Sequence, residues 1–383
     1  MEVSVRQVRR WESATPPWPH PDHQRLLVRV LNLPIEELGF IPPWTIPPSG
    51  SMPPGSTGGP RSRATRPSPP LQGVAATVEA STISADYVAI TAAHRRLYFT
   101  VQPAQLYPAV MEHTGLGTHL LTATTGTTRR ILAAGLSESL LLAGRIEFFD
   151  LRRTDDADAT FLHALQAAGV AEDPLLGAAI LAHAAFVPGW NGRRDDAAER
   201  VRAARVYARR GTASAEFRAW LDAVEAECET RCGKTQEALR LIGQAEDSLA
   251  AGSENVSPDW FDWFSPVRLA AFKGNTELEA GYVKQARVTL TDALDQLSEE
   301  GGKQRAVILG DLAAVEATEG DPEAACIRAE QALDLLAIAW YATAMDRIRK
   351  VRRALQAWAD HECVRRLDDR LYDWETTFSA LRR

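Results

Sequence analysis

Residues 237–245 read Glu-Ala-Leu-Arg-Leu-Ile-Gly-Gln-Ala, and this phrase decides the fold because it returns along the chain. A small residue, a larger apolar residue about four positions on and a small residue three positions later form one helix stripe, which a neighbouring helix can approach closely. Variants of the phrase occupy 158–165, 197–204, 285–293 and 324–332. The anchors of the five phrases are Ala159, Ala198, Ala238, Ala286 and Ala325, which are 39 to 48 residues apart.

Each phrase follows a turn residue, and an apolar helix precedes each turn. Self-similar helix–turn–helix units at such a period indicate a solenoid, which grows by stacking repeats. The pattern therefore predicts an all-α helical-hairpin solenoid with repeats over 131–355. An all-α bundle without repeat symmetry is the alternative. The predicted turn residues are Asp150, Gly192, Gly233, Gly281 and Gly320.

Two of the phrases resemble the tetratricopeptide (TPR) repeat, whose second helix opens with an acidic residue and an alanine. Glu237 and Ala238 with Ala245 match that pattern, as does the run from Gly320 to Ala325 with Ala332. The periods exceed the consensus of about 34 residues, and the consensus Trp, Leu-Gly and Tyr of the first helix are mostly missing. The resemblance implies a divergent, long-helix TPR array with a groove for a peptide or protein ligand.

The composition is that of an ordinary globular protein, with 45% hydrophobic and 24% charged residues in 383. Four cysteines do not make a disulfide framework, so we expect a reducing, cytoplasmic setting. We find neither a signal-peptide pattern nor an apolar run that could span a membrane. The net charge of −7 is uneven, because residues 1–75 hold eight Arg and five acidic residues. An anionic partner is therefore expected to meet the amino-terminal part.

Residues 1–41 predict three short helices, the first from the cap Ser4 to Glu12, the second from about Asp22 to Asn32 and the last ending at Gly39. This succession, with Val-Arg-Arg-Trp-Glu and later Glu-Glu-Leu-Gly-Phe, resembles the second half of an XRE-type helix-turn-helix domain. Such domains precede TPR bodies in actinobacterial transcriptional regulators. The resemblance implies a recognition helix over the first of these stretches, and Arg and Gln suit base edges and phosphates. Its DNA-facing residues would be Ser4, Arg6, Gln7, Arg9 and Arg10.

Two helices that precede the recognition helix in that family have no counterpart here. Either the start lies upstream of Met1, or this head has lost DNA binding. A solvated basic helix without DNA contact is the alternative to a recognition helix. Residues 42–75 are rich in Pro, Gly and Ser and predict a disordered linker, so we expect head and body to move independently.

The body is predicted to begin with a helical segment over 76–130 that precedes the repeats. It holds helices over 85–99 and 104–113, and Gly- and Thr-rich breaks follow at 114–117 and 122–128. Residues 356–383 predict a C-terminal capping helix, because the open end of a solenoid would expose apolar surface.

One loop interrupts the regular spacing of the repeats. The longest interval between anchors contains Ser257-Pro-Asp-Trp-Phe-Asp-Trp-Phe264. Aromatic residues beside acids are typical of recognition surfaces, so Trp260, Asp262 and Trp263 are the candidate partner-binding residues. Alternatively, Trp260, Trp263 and Phe264 begin the next helix and pack against its neighbour. We favour packing for two of these three aromatic residues.

The sequence contains only weak matches to catalytic, phosphate-binding and metal-binding motifs. Gly233-Lys-Thr235 is not a phosphate loop, because Cys228 stands where that motif needs glycine. Cys228 and Cys232 have a spacing that suits two metal ligands, but no third ligand is near in sequence, and we favour buried small residues. We therefore predict no enzyme, no cofactor and no metal site.

Two hypotheses for function follow. The first is a cytoplasmic transcriptional regulator whose head contacts DNA, and whose body binds a peptide or partner and supports a homodimer. The second is a TPR protein–protein adaptor with a vestigial head. The two missing helices of the head discriminate between them.

Overall fold

A computed structural model describes residues 80–298 and 301–381, together with 19–31 and positions 8, 11, 33, 38 and 40. The described part is all-α and contains no strand. The predicted fold class, an all-α solenoid of TPR-like helical hairpins, is confirmed for the body. The predicted linker over 42–75 lies outside the described residues. So do the predicted DNA-facing residues Ser4, Arg6, Gln7, Arg9 and Arg10.

The described chain contains fifteen α-helices, one near the amino terminus and fourteen in the body. A π-helical turn, Ile146–Asp150, extends the fourth helix, and a 3₁₀ turn, Leu355–Trp358, precedes the last. The helices are α1 Pro21–Leu31, α2 Ala80–Leu97, α3 Pro103–Ala123, α4 Gly126–Arg145, α5 Thr154–Ala171, α6 Pro174–Trp190, α7 Arg194–Arg210, α8 Ala215–Arg231, α9 Thr235–Ala251, α10 Pro266–Glu279, α11 Val283–Gln296, α12 Gly302–Glu319, α13 Pro322–Ile338, α14 Ala342–Ala354 and α15 Glu362–Leu381.

Helices α4 to α13 form five hairpins, each of an inner helix followed by an outer helix. The inner helices α4, α6, α8, α10 and α12 pack against one another from repeat to repeat, and α14 continues their row. Inner helices such as α6 are apolar around most of their circumference, which is expected of a helix with neighbours on all sides. The outer helices bury a single stripe.

The stripe predicted from the sequence is present on the outer helices. In α9 the buried residues are Ala238, Leu241, Ile242 and Ala245. In α11 they include Ala286, Leu290 and Ala293. The small residues let the outer helix approach its inner partner, while the larger residue between them fills the groove.

The first two anchors were placed wrongly. Ala159 is exposed and Ala198 half-buried, whereas Ala157 and Ala197 are fully buried in the equivalent positions. Each buried anchor lies five residues after a residue with left-handed backbone. That residue is glycine in four of the turns, but it is Arg152, with φ 55°, in the first. Ala198 was therefore one residue late relative to the correctly predicted turn at Gly192, whereas for Ala159 the turn itself was misplaced. The turn was expected at Asp150, which is instead a buried residue of the π-helical turn.

Glycines on the inner helices receive the large residue of the outer stripe. A Cβ atom on Gly144 would lie 2.6 Å from the ring of Phe161, and one on Gly274 would lie 2.5 Å from Leu290. Such distances are too short for any real Cβ contact. The close helix contacts predicted from small residues thus depend on both members of a hairpin.

Side-chain caps begin several of the inner helices. Asp173 accepts hydrogen bonds from the backbone of Leu175 and Leu176, and Ser214 accepts one from Phe217. Ser265 caps α10 in the same way. Each such cap stabilises its helix by about 1 kcal/mol, which fixes where a hairpin starts.

The solenoid closes on itself, so that the first inner helix meets the last. Trp340 donates its indole N–H to the carbonyl of Asp150 at 2.8 Å, and Arg152 donates to Asp346 at 2.8 Å. Lys303 of α12 forms an ion pair of 2.6 Å with the Asp150 carboxylate. These contacts join residues 153 to 194 positions apart. They lie beside a central cavity, whose wall includes Lys303.

The segment before the repeats differs from its prediction. A break was expected at 114–117, but α3 continues through this stretch to Ala123. Gly117 is needed there for packing, since its missing Cβ leaves room for the Tyr87 ring, whose hydroxyl donates to the carbonyl of His113. The hydroxyl groups of Thr114 and Thr118 donate hydrogen bonds to backbone carbonyls three and four positions earlier. These residues are therefore compatible with a helix.

The head and the last helix are in contact. Trp11 packs edge-on against His23 and Phe40, with ring centroids 5.2 and 6.3 Å apart. His20 lies 3.5 Å from the carboxylate of Asp369 and packs edge-on against the ring of Tyr372. Helix α1 therefore rests on α15, whereas we expected head and body to be independent.

Candidate functional site

The residues predicted to bind a partner lie in the long loop between α9 and α10, not at the start of a helix. Trp260 and Trp263 are both buried, and Phe261 between them is buried as well. Asp262 is more exposed, and its carboxylate lies 3.5 Å from the Arg95 guanidinium. The loop packs against α8 through Phe217 and Trp220, and α10 begins only at Pro266.

Trp260 and Trp263 have different neighbours. The Trp260 ring packs against Phe217 and against Trp263, at centroid distances of 6.2 and 5.8 Å. Trp263 also lines the central cavity, where the Arg145 guanidinium lies 4.7 Å above its ring. Of the two tryptophans, Trp263 is thus the one that borders open space.

The cavity lies among the six inner helices and has a volume of about 160 Å³. An engineered cavity of about 150 Å³ is large enough to hold benzene. Aromatic side chains form the largest group in its walls, which is typical of small-molecule sites. The aromatic residues are Tyr98, Phe99, Phe149, His183, Phe186, Trp190, Trp220, Trp263, Phe264, Phe272 and Tyr341.

One end of the cavity carries an excess of positive charge. Arg145 and Arg268 both line it, and within residues 80–298 and 301–381 neither guanidinium forms a hydrogen bond or ion pair with a carboxylate. Arg145 is buried, and its guanidinium lies 5.0 Å from the ring centre of Tyr98. Burial, and then the nearby Arg145, lower the pKa of Arg268 to about 10. Two cations thus share this end of the cavity.

Lys303 lies at the same end but is neutralised. Its Nζ is 2.6 Å from Asp150 and 3.7 Å from the ring centre of Tyr98, whose hydroxyl donates to Asp150 at 2.9 Å. Burial lowers the pKa of Lys303 and raises the pKa of Asp150, so desolvation opposes both charges. Their mutual contact offsets this penalty, and Lys303 adds no net charge for a ligand.

At the opposite end of the cavity the positive and negative charges are balanced. Glu227 accepts a hydrogen bond from Arg231 at 2.9 Å and one from Asn275 at 3.3 Å. Arg347 lies 3.5 Å from Glu227 and 3.2 Å from Asp311. Two cations therefore face two carboxylates. Burial raises the pKa of Asp311 to about 6 despite its arginine neighbour.

The imidazole of His183 forms part of the cavity wall and is neutral. Its Nδ1 lies 2.8 Å from the carbonyl of Ala179, the residue one helical turn before it. Burial, with Arg145 as the next cause, holds the pKa of His183 well below its usual range. The ring packs against Trp220 and Trp263 at centroid distances of 5.0 and 5.2 Å.

The sequence pointed to the aromatic loop but missed the cationic end. Arg145, Arg268 and Lys303 stand on three different inner helices, so no spacing in the sequence connects them. The signal available was a charged residue within an otherwise apolar stretch, as for Arg145 between Leu-Leu-Leu-Ala-Gly and Ile-Glu-Phe-Phe. Only the closure of the solenoid brings the three together.

The two cysteines singled out by spacing are packing residues. The Cys228 thiol is buried against α6, 3.7 Å from the carbonyl of Ala185, and Cys232 lies 3.8 Å from the carbonyl of Gly189. Among the residues that the structure describes, no group of three or more His, Cys, Asp and Glu side chains could hold a metal ion. In the same residues, no helix has the length and apolar content to cross a membrane.

Two solved structures are similar to part of this chain. No protein-family model matches the chain, and no curated protein matches it. The crystal structure of BtubC (BKLC) from P. vanneervenii is similar at 17% identity and a TM-score of 0.43, over 62% of this chain and 92% of that one. A Podospora anserina kinesin light chain with nearly identical TPR-like repeats is similar at 16% identity and a TM-score of 0.35, over 56% of this chain and 98% of that one.

Proposed function

We propose that the protein is a non-catalytic binding protein whose helical body takes up a ligand or a segment of a partner in the central cavity. The observation that carries this is the cavity itself, an aromatic-walled space lined by all six inner helices. Filling such a space would add contacts to every repeat at once. A ligand there therefore stabilises the closed solenoid and couples binding to its shape.

The polar groups of the cavity support binding rather than packing alone. The indole N–H groups of Trp190 and Trp263 and the side-chain oxygen of Asn275 are buried, and none finds a hydrogen-bond partner within the described residues. Buried polar groups are normally satisfied, so unsatisfied groups that border a cavity require an explanation. A bound ligand with donors and acceptors would satisfy them.

A cavity-filling variant tests this function. Ala271 lines the cavity on α10, and Ala271→Trp would occupy the space, whereas Ala159→Trp adds the same ring on the exposed face of α5. A panel of small aromatic acids, amides, alcohols and dipeptides is screened by thermal melting. We expect at least one compound to raise the melting temperature of wild type and Ala159→Trp but not of Ala271→Trp. A panel without any such compound would refute the proposal.

The transcriptional regulator predicted from the head is a second proposal. It is supported by the sequence resemblance of the head, and the packing of Trp11 with His23 and Phe40 is compatible with a folded head. The contact of His20 with Asp369 would transmit a change in the body to this head. The test is a salt-dependent, sequence-selective shift of promoter DNA. Arg6, Arg9 and Arg10 are changed together to Ala, and an unchanged shift would eliminate the assignment.

A further inference from the structure

The cavity has an asymmetric charge distribution. Its balanced end pairs Arg231 and Arg347 with Glu227 and Asp311. At its other end Arg145 and Arg268 form no direct ion pair among the described residues, since Asp150 is paired with Lys303 and Asp262 with Arg95. These two carboxylates act on Arg145 and Arg268 only from a distance, so the three cations Arg145, Arg268 and Lys303 outnumber them. A low-dielectric site with two unpaired guanidinium groups favours an anion strongly.

The room beside these two groups suits a flat ring. The Trp263 ring faces the Arg145 guanidinium at 4.7 Å, and Trp220, His183 and Phe186 continue the wall from it. The volume of about 160 Å³ matches one aromatic ring with a small substituent. Offset and edge-to-face contacts with such walls orient a ring without further polar groups.

We propose that this cavity binds a small aromatic carboxylate, with its ring among the aromatic walls and its carboxylate between Arg145 and Arg268. The planar fork of a guanidinium matches a carboxylate through two parallel hydrogen bonds. This identification rests on the proposed binding function, because it names the ligand class of the same cavity. We take the ligand to be a free small molecule, because a volume of about 160 Å³ holds one ring with a small substituent and leaves no room for a longer chain segment.

Lowered basicity at this end supports the assignment. Burial and the proximity of Arg145 bring the pKa of Arg268 to about 10, and His183 is held neutral by burial and by Arg145. Positive charge is therefore unfavourable here without a counter-ion. A bound carboxylate would supply the negative counter-charge and so relieve the repulsion between the two guanidinium groups.

The experiment compares matched probes by isothermal titration and by the fluorescence of the cavity tryptophans. Benzoate, phenylacetate and indole-3-acetate are each paired with the corresponding neutral amide, and phenyl phosphate tests another anion. We expect a carboxylate to bind at least about tenfold more tightly than its amide, as charge-assisted hydrogen bonds require. Arg145→Met and Arg268→Met should each remove this preference, while Arg202→Met, on the exposed face of α7, should retain it.

The outcomes separate this inference from the proposed function. If amides bind as tightly as carboxylates, or if both arginine variants keep the preference, the carboxylate assignment is wrong and the binding function remains. If phenyl phosphate binds more tightly than every carboxylate, the ligand class is wrong. If Gly-Phe with a free carboxyl terminus binds more tightly than the free acids, the ligand is a peptide end and not a small molecule. Absence of binding by all probes, together with no hit in the Ala271→Trp screen, would remove both proposals.

Discussion

Lys303 and Asp150 lie 153 positions apart in the chain, yet the Lys303 Nζ and the Asp150 Oδ1 are 2.6 Å apart and both side chains are buried. The pair joins the end of the first inner helix to the start of the fifth. Trp340 donates to the backbone of the same aspartate, so three parts of the solenoid meet at one residue. The closed shape, and with it the cavity, depends on this junction.

Removal of the Lys303 ammonium should destabilise the protein strongly. Lys303→Met leaves the Asp150 carboxylate buried without its cation, which is expected to lower the free energy of unfolding by about 3–5 kcal/mol in urea denaturation. Asp150→Asn in the same chain should recover part of the loss, because a neutral amide needs no cation. The control is Lys273→Met, which breaks the exposed pair with Glu246 and should change stability by about 1 kcal/mol or less. Equal losses in the two lysine variants would show that the Asp150 junction is not a structural centre.

Two helical glycines should respond to alanine with opposite signs. At Gly144 a Cβ would lie 2.6 Å from the fully buried Phe161 ring, and we expect Gly144→Ala to reduce stability by about 1–3 kcal/mol through overpacking. At Gly243, within α9, nothing lies within 4 Å of the added carbon. Gly243→Ala should therefore raise stability by about 0.5–1 kcal/mol, since alanine favours a helix. Thermal melting measures both, and a stabilising Gly144→Ala would mean that the hairpins are less closely packed than described.

The repeat pattern was readable from the sequence because it depends on local spacing. A small–large–small stripe must be present on each outer helix whatever the partner, and a glycine marks most turns. Arg152 shows where this fails. Its left-handed backbone is unfavourable for a residue with a Cβ by about 1–2 kcal/mol. It is held by a tertiary contact to Asp346 and by a local hydrogen bond to the carbonyl of Phe148. No sequence pattern within one repeat predicts such a turn.

The cavity shows a second limit of prediction from the sequence. Trp263 was identified because aromatic and acidic residues stood together in one loop, whereas Arg145 and Arg268 became neighbours only through stacking and closure. The continuation of α3 through Gly117 has the same origin. Gly and Thr are poor helix formers, but the Tyr87 ring occupies the space that glycine leaves, so tertiary packing overrides propensity.

Stability should fall as pH rises through the range in which Glu138 titrates. Burial raises the pKa of Glu138 from 4.5 to about 7, although Arg95 forms an ion pair with it. The folded state therefore holds this proton at pH values where the unfolded chain has lost it, and its contribution is complete below pH 4.5 and lost by about pH 7. The free energy of unfolding should decline by at most about 1.4 kcal/mol per pH unit from this group.

The measurement is urea denaturation at intervals from pH 5 to 7.5, for wild type and Glu138→Gln. The glutamine variant should lose part of the slope, because its side chain is neutral throughout. Other buried carboxylates such as Asp311 are common to both proteins and cancel in the difference. Asp195→Asn, on the exposed surface of α7, should run parallel to wild type. A parallel curve for Glu138→Gln would contradict the raised pKa.

Arg145 should prove unfavourable for stability in the free protein. Its guanidinium is buried and contacts the rings of Tyr98 and Trp263, but among the described residues it has no carboxylate partner. Replacing such a charge by an apolar side chain of similar length removes a desolvation penalty, so Arg145→Met should be neutral or up to a few kcal/mol more stable in urea denaturation. Arg202→Met, at an exposed site, should differ from wild type by about 0.5 kcal/mol or less. Stabilisation combined with loss of benzoate binding would mean that the charge is kept for the ligand, since residues that bind ligands are often retained at a cost in stability. A loss of several kcal/mol in Arg145→Met would instead assign Arg145 to the structure, and the cavity would then have one free cation fewer to attract an anion.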